Sequence, residues 1–359
     1  MKRSGTSLAL SNLRALVIMV VVAVHSVLAY LDYATPPSNQ LNDPPYRWLV
    51  TPIVDDHRWI GFDLFCAWQD VYLMSLLFFL SGCFVWTSLE RKGSWGFLRD
   101  RFIRIGIPLA GAVALLMPLA LFPVYLSASA DPSLSGYWRI WRSLPFWPCG
   151  PQWFLGVLLS FNFLATIVHQ FVPAMGSWVG TVSQWMGKHP FRFIACMTFA
   201  SIIVYVPLAI IFTPWAWISF GPFSFQLSRP VHYAVYFFAG LAAGAAGLSG
   251  GLLAIDGALA KRWFFWLLTA FFSFVLWIAL TAVIMSNGTN APLGVQILND
   301  IAFAVSCATS CIFLLALFLR FGQYRAWWSD SLSEHAYGIY VVHYVFVVWA
   351  QYILTGTEL

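Results

Sequence analysis

The chain has 359 residues, 60% of them apolar and only 9% charged, with a mean hydropathy of +0.76. Soluble domains carry about 25% charged residues, so this composition excludes a soluble enzyme or binding module and points to an integral membrane protein. A net charge of +5 would suit nucleic acid in a soluble chain, but here the basic residues fall in short loops between apolar runs, so nucleic acid is not an expected partner.

The first apolar run, 13–31 (LRALVIMVVVAVHSVLAYL), is long enough to cross a bilayer yet holds Arg14 and His25. Eleven helical residues rise about 16.5 Å and return to within about 20° of the starting direction, so both side chains share one stripe. Arg14, next to the end of the run, can snorkel to the headgroups at small cost. His25 lies too deep for that, and burial favours the uncharged imidazole, which is the form that accepts a proton. A helix-packing histidine is the alternative, and position alone does not separate the two. The run lacks a small-residue cleavage site matched to a short apolar region, so it reads as a retained span.

Eight further spans are predicted at 62–88, 103–126, 152–172, 191–212, 230–246, 263–285, 297–320 and 335–354, each near the ~20 residues a bilayer requires. The loop 32–61 begins with turn formers (ATPPSNQLNDPP) and becomes acidic and aromatic (DDHRWIGF), a composition that fits partial order over the mouth of a bundle. Asp63 stands at the entry of the second span and Asp70 about two turns inside. A carboxylate at that depth needs a donor or a proton, so Asp70 is either a structural partner of another span or a member of a site. The span closes in FFLSG, where Ser81 and Gly82 permit close helix approach.

The linker SLERKGSWGFLRDRFIRIGIPL is the most basic stretch of the chain. Arg101 and Arg104, one turn apart ahead of Pro108, read either as a topogenic anchor or as a phosphate clamp. The loop 127–151 carries Arg139, Arg142 and many aromatics, ending in FWPCGPQWFLG, in which Trp153 opens the next span. These rings suit an interfacial belt and would equally suit stacking on sugars. Arg229, His232 and Asp300 are expected at span ends, in contact with water. In the last span HAYGIYVVHYVF puts Tyr340 and His343 three apart on one face, with His343 near mid-membrane. Asp70, Trp153, Tyr340 and His343 are therefore candidates for lining a substrate cavity.

The six cysteines show no metal spacing, and Cys307 and Cys311 read as small apolar residues, so no metal site is expected. There is no GxGxxG, Walker, GxSxG or HExxH sequence and no visible inverted repeat. With the N-terminus in the cytoplasm, fourteen of the nineteen Lys and Arg residues fall on that side, a bias that predicts this orientation.

Four motifs, taken in order, resemble the acyltransferase 3 family of membrane O-acyltransferases. They are Arg14 followed by ten residues and His25, FFLSG with a basic linker holding Arg101, Arg104 and Pro108, QWFLGVLLSFN, and YGIYVVH. The phrasing of FFLSG, SLERKG, FLRDRFIRIGIP and QWFL is most similar to the branch containing the periplasmic glucan succinyltransferase and related glycan O-acetylases. The resemblance implies an all-α polytopic bundle formed by one transmembrane domain over residues 1–359. It also implies transfer of an acetyl or succinyl group from cytoplasmic acyl-CoA to a hydroxyl of a cell-envelope glycan, in a bacterial inner membrane, with no permanently bound cofactor. Arg14 and His25 correspond to the family's catalytic pair, and Arg14, Arg101 and Arg104 would hold the donor. Membrane lipid and glycan-synthesis proteins are the remaining expected partners. Two departures stand out. The chain shows nine spans where the family usually has ten, and the family's GGxxGVDxFF phrasing is replaced by WIGFDLFCAWQDVY. The competing reading is a proton-coupled transporter or flippase of a glycan or small solute, with His25 as a proton relay; a non-catalytic partner in glycan synthesis is a third.

Overall fold

The computed structural model describes residues 5–34, 41–172, 175–221, 223–245, 247–248 and 251–357. Helices α1 (Gly5–Val27) and α2 (Ile60–Gly82) lead, followed by a long rod of α3 (Val85–Arg101), α4 (Ile107–Gly111) and α5 (Met117–Ala128), joined through π-helical turns at Phe102–Gly106 and Ala112–Leu116. A short amphipathic α6 (Leu134–Ser143) precedes α7 (Trp153–Phe171), α8 (Met175–Lys188) and α9 (Pro190–Phe212). An antiparallel hairpin of β1 (Trp217–Phe220) and β2 (Phe223–Gln226), with Trp217 opposite Gln226, leads into α10 (Pro230–Ala245) and α11 (Ala258–Lys261). The chain then runs through α12 (Trp263–Asn287), α13 (Leu293–Phe321) and α14 (Trp327–Leu354).

Eight helices among the described residues are long and apolar enough to cross a membrane. The remaining predicted span, 230–246, is α10, whose 16 residues rise only about 24 Å, short of the ~30 Å hydrocarbon core. The span predicted at 62–88 stops at Gly82, and the linker predicted after it is helical as α3, broken at Gly93 with φ +68°. Lacking Cβ, Gly93 adopts that conformation at little cost and turns the basic segment without a loop.

Prolines explain how the rod holds its neighbour. A proline removes one N–H and frees the carbonyl four residues back. Pro108 frees the Arg104 carbonyl, which accepts from the Tyr337 hydroxyl at 2.7 Å, and Pro123 frees the Leu119 carbonyl, which accepts from the Trp349 indole N–H at 2.9 Å. Both donors lie on α14. On the opposite side α2 and α10 are in backbone contact: a Cβ at Gly82 would strike the Phe237 carbonyl, and one at Gly240 the carbonyl of Phe79. Small residues thus let these two helices approach without intervening side chains.

Two irregular segments pack beside the helices, the turn at Gly150 buried and the hairpin largely exposed. Gly150 (φ +48°) sits where a Cβ would lie 2.8 Å from Met117 Sδ and 3.2 Å from the Tyr344 ring. The Trp147 N–H donates to the Gly221 carbonyl at 2.8 Å, and Phe223 packs on Gly156 of α7.

Candidate active site

His25 stands in the last turn of α1 and His343 just past the middle of α14, their ring centroids 5.1 Å apart. His25 Nδ1 lies 2.8 Å from the Val21 carbonyl and His343 Nδ1 2.7 Å from the Tyr340 carbonyl. A carbonyl only accepts, so each imidazole carries its proton on Nδ1. His343 Nε2, left with a lone pair, takes a second, longer contact from His25 Nδ1 at 3.4 Å. The consequence is a fixed tautomer in which His25 Nε2 holds a free lone pair, the arrangement of a base.

The surroundings fix the rings in place. Tyr344 presents its ring edge-on to His25 at 5.5 Å. Gln351, 4% exposed, donates to the carbonyls of His25 and Ser26 at 2.8 and 3.0 Å, satisfying acceptors that the end of α1 leaves open. Tyr340 donates its hydroxyl to the Pro151 carbonyl, and Gln152 donates to the Val341 carbonyl at 2.9 Å, so the turn before α7 is bonded directly to the His343 segment.

Arg14 lies on the His25 stripe of α1, about 16.5 Å of helix rise away. It lines a cavity of about 160 Å³ with Arg101, Ser81, Phe84, Leu158 and Asn162. Two buried polar atoms have no protein partner there, Arg101 Nε and Asn162 Oδ1. The predicted arginine pair is divided. Arg101 faces the cavity with its guanidinium 4.8 Å from the Phe97 ring, whereas Arg104 is exposed and its Nε pairs with Asp100 at 3.0 Å. A π turn takes more residues per circuit than an α-turn, so the three residues from Arg101 carry Arg104 off the cavity face.

The other cavity candidates gather elsewhere. Asp70 accepts two bonds from Arg229, at 2.8 and 2.6 Å, and Trp153 stacks on Tyr233 at 6.0 Å. Asp70 thus has the donor that its depth requires, supplied by the residue just before α10. Arg229, His232 and Asp300, expected in water, are instead 3%, 0% and 3% exposed. His232 joins three helices: Nδ1 is 2.8 Å from Ser201 Oγ, and Nε2 is 3.3 Å from Ser75 Oγ and 3.5 Å from Cys307 Sγ. For Arg229 and His232 the cause is the packing of the start of α10 against α2, which places that end inside the bundle rather than at its rim. Asp300 lies on α13, two turns inside that helix. Sequence reasoning also missed Gln351, Gln152 and Asn162, whose signal was an amide within an apolar span.

The sequence profile described as an acyltransferase domain matches residues 7–359. The chain belongs to the acyltransferase 3 family. This acyltransferase is therefore an enzyme rather than a transporter, and its apolar helices make it an integral membrane one. No curated protein and no solved structure matches it.

Proposed function

We propose that this acyltransferase moves an acetyl or succinyl group from cytoplasmic acyl-CoA to a hydroxyl of a cell-envelope glycan on the other face of a bacterial inner membrane. The observation that carries the proposal is the shared stripe of α1, with the Arg14–Arg101 cavity near one end and the histidine pair near the other. Forked guanidinium groups suit phosphate oxygens, and the orphaned Arg101 Nε supplies a further donor. At about 160 Å³ the cavity is below the 300–1,000 Å³ of a whole-ligand pocket, so it fits phosphates of the donor while the rest of the nucleotide lies at the exposed arginines. The pantetheine arm then follows the stripe to His25.

There the acceptor oxygen attacks the thioester carbonyl carbon, the new C–O bond forms and the C–S bond breaks. His25 Nε2 takes the hydroxyl proton and passes it to the departing thiolate, which restores the neutral imidazole. His343 holds the His25 tautomer and is a positioning residue. The charge bias of the loops supports an N-terminus in the cytoplasm, with the donor entering from that side.

Sealed vesicles test this. Inside-out vesicles given labelled acyl-CoA should place label on lumenal glycan, whereas right-side-out vesicles should do so only when loaded with donor. Efficient use of donor added outside right-side-out vesicles would overturn the transmembrane path. Mass analysis of envelope glycans from cells with and without the protein identifies acyl group and acceptor together.

A further inference from the structure

A second cavity, of about 430 Å³, lies where the rod ends, lined by Leu41, Tyr125, Ser129, Asp131, Arg139 and Ile140. Its position relative to the histidine pair follows from the rod. Met117 and Tyr344 converge on Gly150, and Tyr344 touches His25, so Met117 marks the level of the reacting centre. Tyr125 is eight residues further along α5, about 12 Å of rise on the side away from Arg14. That separation exceeds the span of a single pyranose ring.

The lining is preformed and of mixed character. Tyr125, 2% exposed, donates its hydroxyl to the Asp131 carbonyl. Asp131 Oδ1 accepts from the Ser133 N–H at 3.0 Å, and Ser133 Oγ in turn accepts from the Gly136 N–H at 3.0 Å, capping α6. Hydrogen bonds from the Ser133 side chain and backbone, with Arg139 nearby, hold the Asp131 carboxyl below the usual carboxylate range. Gly136 completes a cradle, since a Cβ there would collide with the Tyr125 hydroxyl and stand 2.6 Å from Asp131 Oδ2. One carboxylate and one guanidinium at the same cavity offset each other's charge while presenting acceptors and donors, and Tyr125, packed on Phe122 and Tyr137, forms its floor. A neutral polyol ring matches this set. An anion would meet Asp131, and an apolar ligand would strand both charges.

We propose that this cavity is an acceptor subsite that holds a neutral sugar ring of an oligomeric glycan, more than one ring away from the unit whose hydroxyl reacts at His25. The proposal rests on the acyl-transfer reading above and narrows its substrate to a glycan chain rather than a single sugar.

The test uses full-length protein in nanodiscs, with glucose, cellobiose, cellotetraose and cellohexaose as probes. Titration calorimetry on His25→Ala protein measures binding without turnover. Cellohexaose should bind at least tenfold more tightly than glucose. Arg139→Gln and Asp131→Asn should each weaken cellohexaose about tenfold, the loss expected for one hydrogen bond to a charged group. With active protein and acetyl-CoA, the same substitutions should lower the ratio of kcat/KM for cellohexaose to that for glucose. Equal binding of short and long probes, or cellohexaose affinity unmoved by both substitutions, overturns the subsite. Arg139-dependent binding of cellohexaose with neither acetyl nor succinyl appearing on it, when the matching acyl-CoA is supplied, leaves the subsite standing and overturns the reading of a glycan hydroxyl as the acyl acceptor instead.

Discussion

The Asp70–Arg229 pair offers a test in which the two halves of one interaction behave unequally. Arg229 is 3% exposed, while the Asp70 side chain keeps 39%. The guanidinium is sealed between the carboxylate and the Phe303 ring, 4.9 Å away, and its Nε is buried without a partner. Asp70→Asn removes the charge that balances this cation and turns an amide N–H toward a guanidinium N–H. Breaking a buried pair from one side costs 3–5 kcal/mol, and the lower figure, about 3 kcal/mol, applies because water reaches one end of this pair. Arg229→Met fills a similar volume and leaves the anion on the open side, where water solvates it, so the cost falls to about 1 kcal/mol. The double variant Asp70→Asn/Arg229→Met removes both charges and should match Arg229→Met rather than the sum. Thermal unfolding in one detergent, followed by monodispersity, should rank wild type above Arg229→Met and the double variant, with Asp70→Asn lowest. If Arg229→Met unfolds at or below the temperature of Asp70→Asn, the reasoning from unequal burial is refuted.

His25→Ala should leave folded protein at wild-type yield while CoA release in the presence of acceptor falls by about 10²–10⁴, the usual contribution of a positioned base; full activity would remove His25 from the mechanism. Arg14→Ala and Arg101→Ala should raise the donor KM, and Arg101→Lys should not restore it, because an ammonium lacks the fork; Arg104→Ala, on an exposed residue paired with Asp100, should change donor KM less than either. Asp55, buried at 2% exposure, is pushed upward by burial, but N–H bonds from His57 at 2.8 Å and Gly356 at 3.0 Å, with the His57 ring, outweigh this and hold its carboxyl below the usual range. A lowered folded-state pKa stabilises above the unfolded value and is lost as the pH falls. The stability difference between wild type and Asp55→Asn should therefore persist above about pH 3.9 and close below it.

The apolar runs located most helices, because the length of a bilayer-crossing helix is fixed by the bilayer itself. The 3.6-residue repeat placed Arg14 with His25 on α1 and Tyr340 with His343 on α14, and the structure brings the two histidines into contact. Depth was harder to read. Arg229, His232 and Asp300 were assigned to water because span ends normally lie at the surface, and nothing in a hydropathy profile shows that the start of α10 packs against α2. Trp153 was read with the loop aromatics as an interfacial or sugar-stacking ring, whereas it stacks on Tyr233, eighty positions away in sequence. Arg104 was paired with Arg101 on α-helical spacing, and the π turn between them cannot be recognised from composition.

The prolines of the rod also determine which substitutions must occur together. Pro123 and Trp349 form one coupled pair, and Pro108 and Tyr337 another, since in each case the proline releases the carbonyl that the aromatic donor occupies. A helix-forming residue in place of Pro123 would reclaim the Leu119 carbonyl for the helical ladder and leave the Trp349 indole N–H without its acceptor. His343 is six residues from each donor, midway between the two attachments. Drift at either proline without a matching change on α14 would alter the register of His343 against His25. Paired substitution at these positions among homologues is the pattern that selection on the histidine contact would leave.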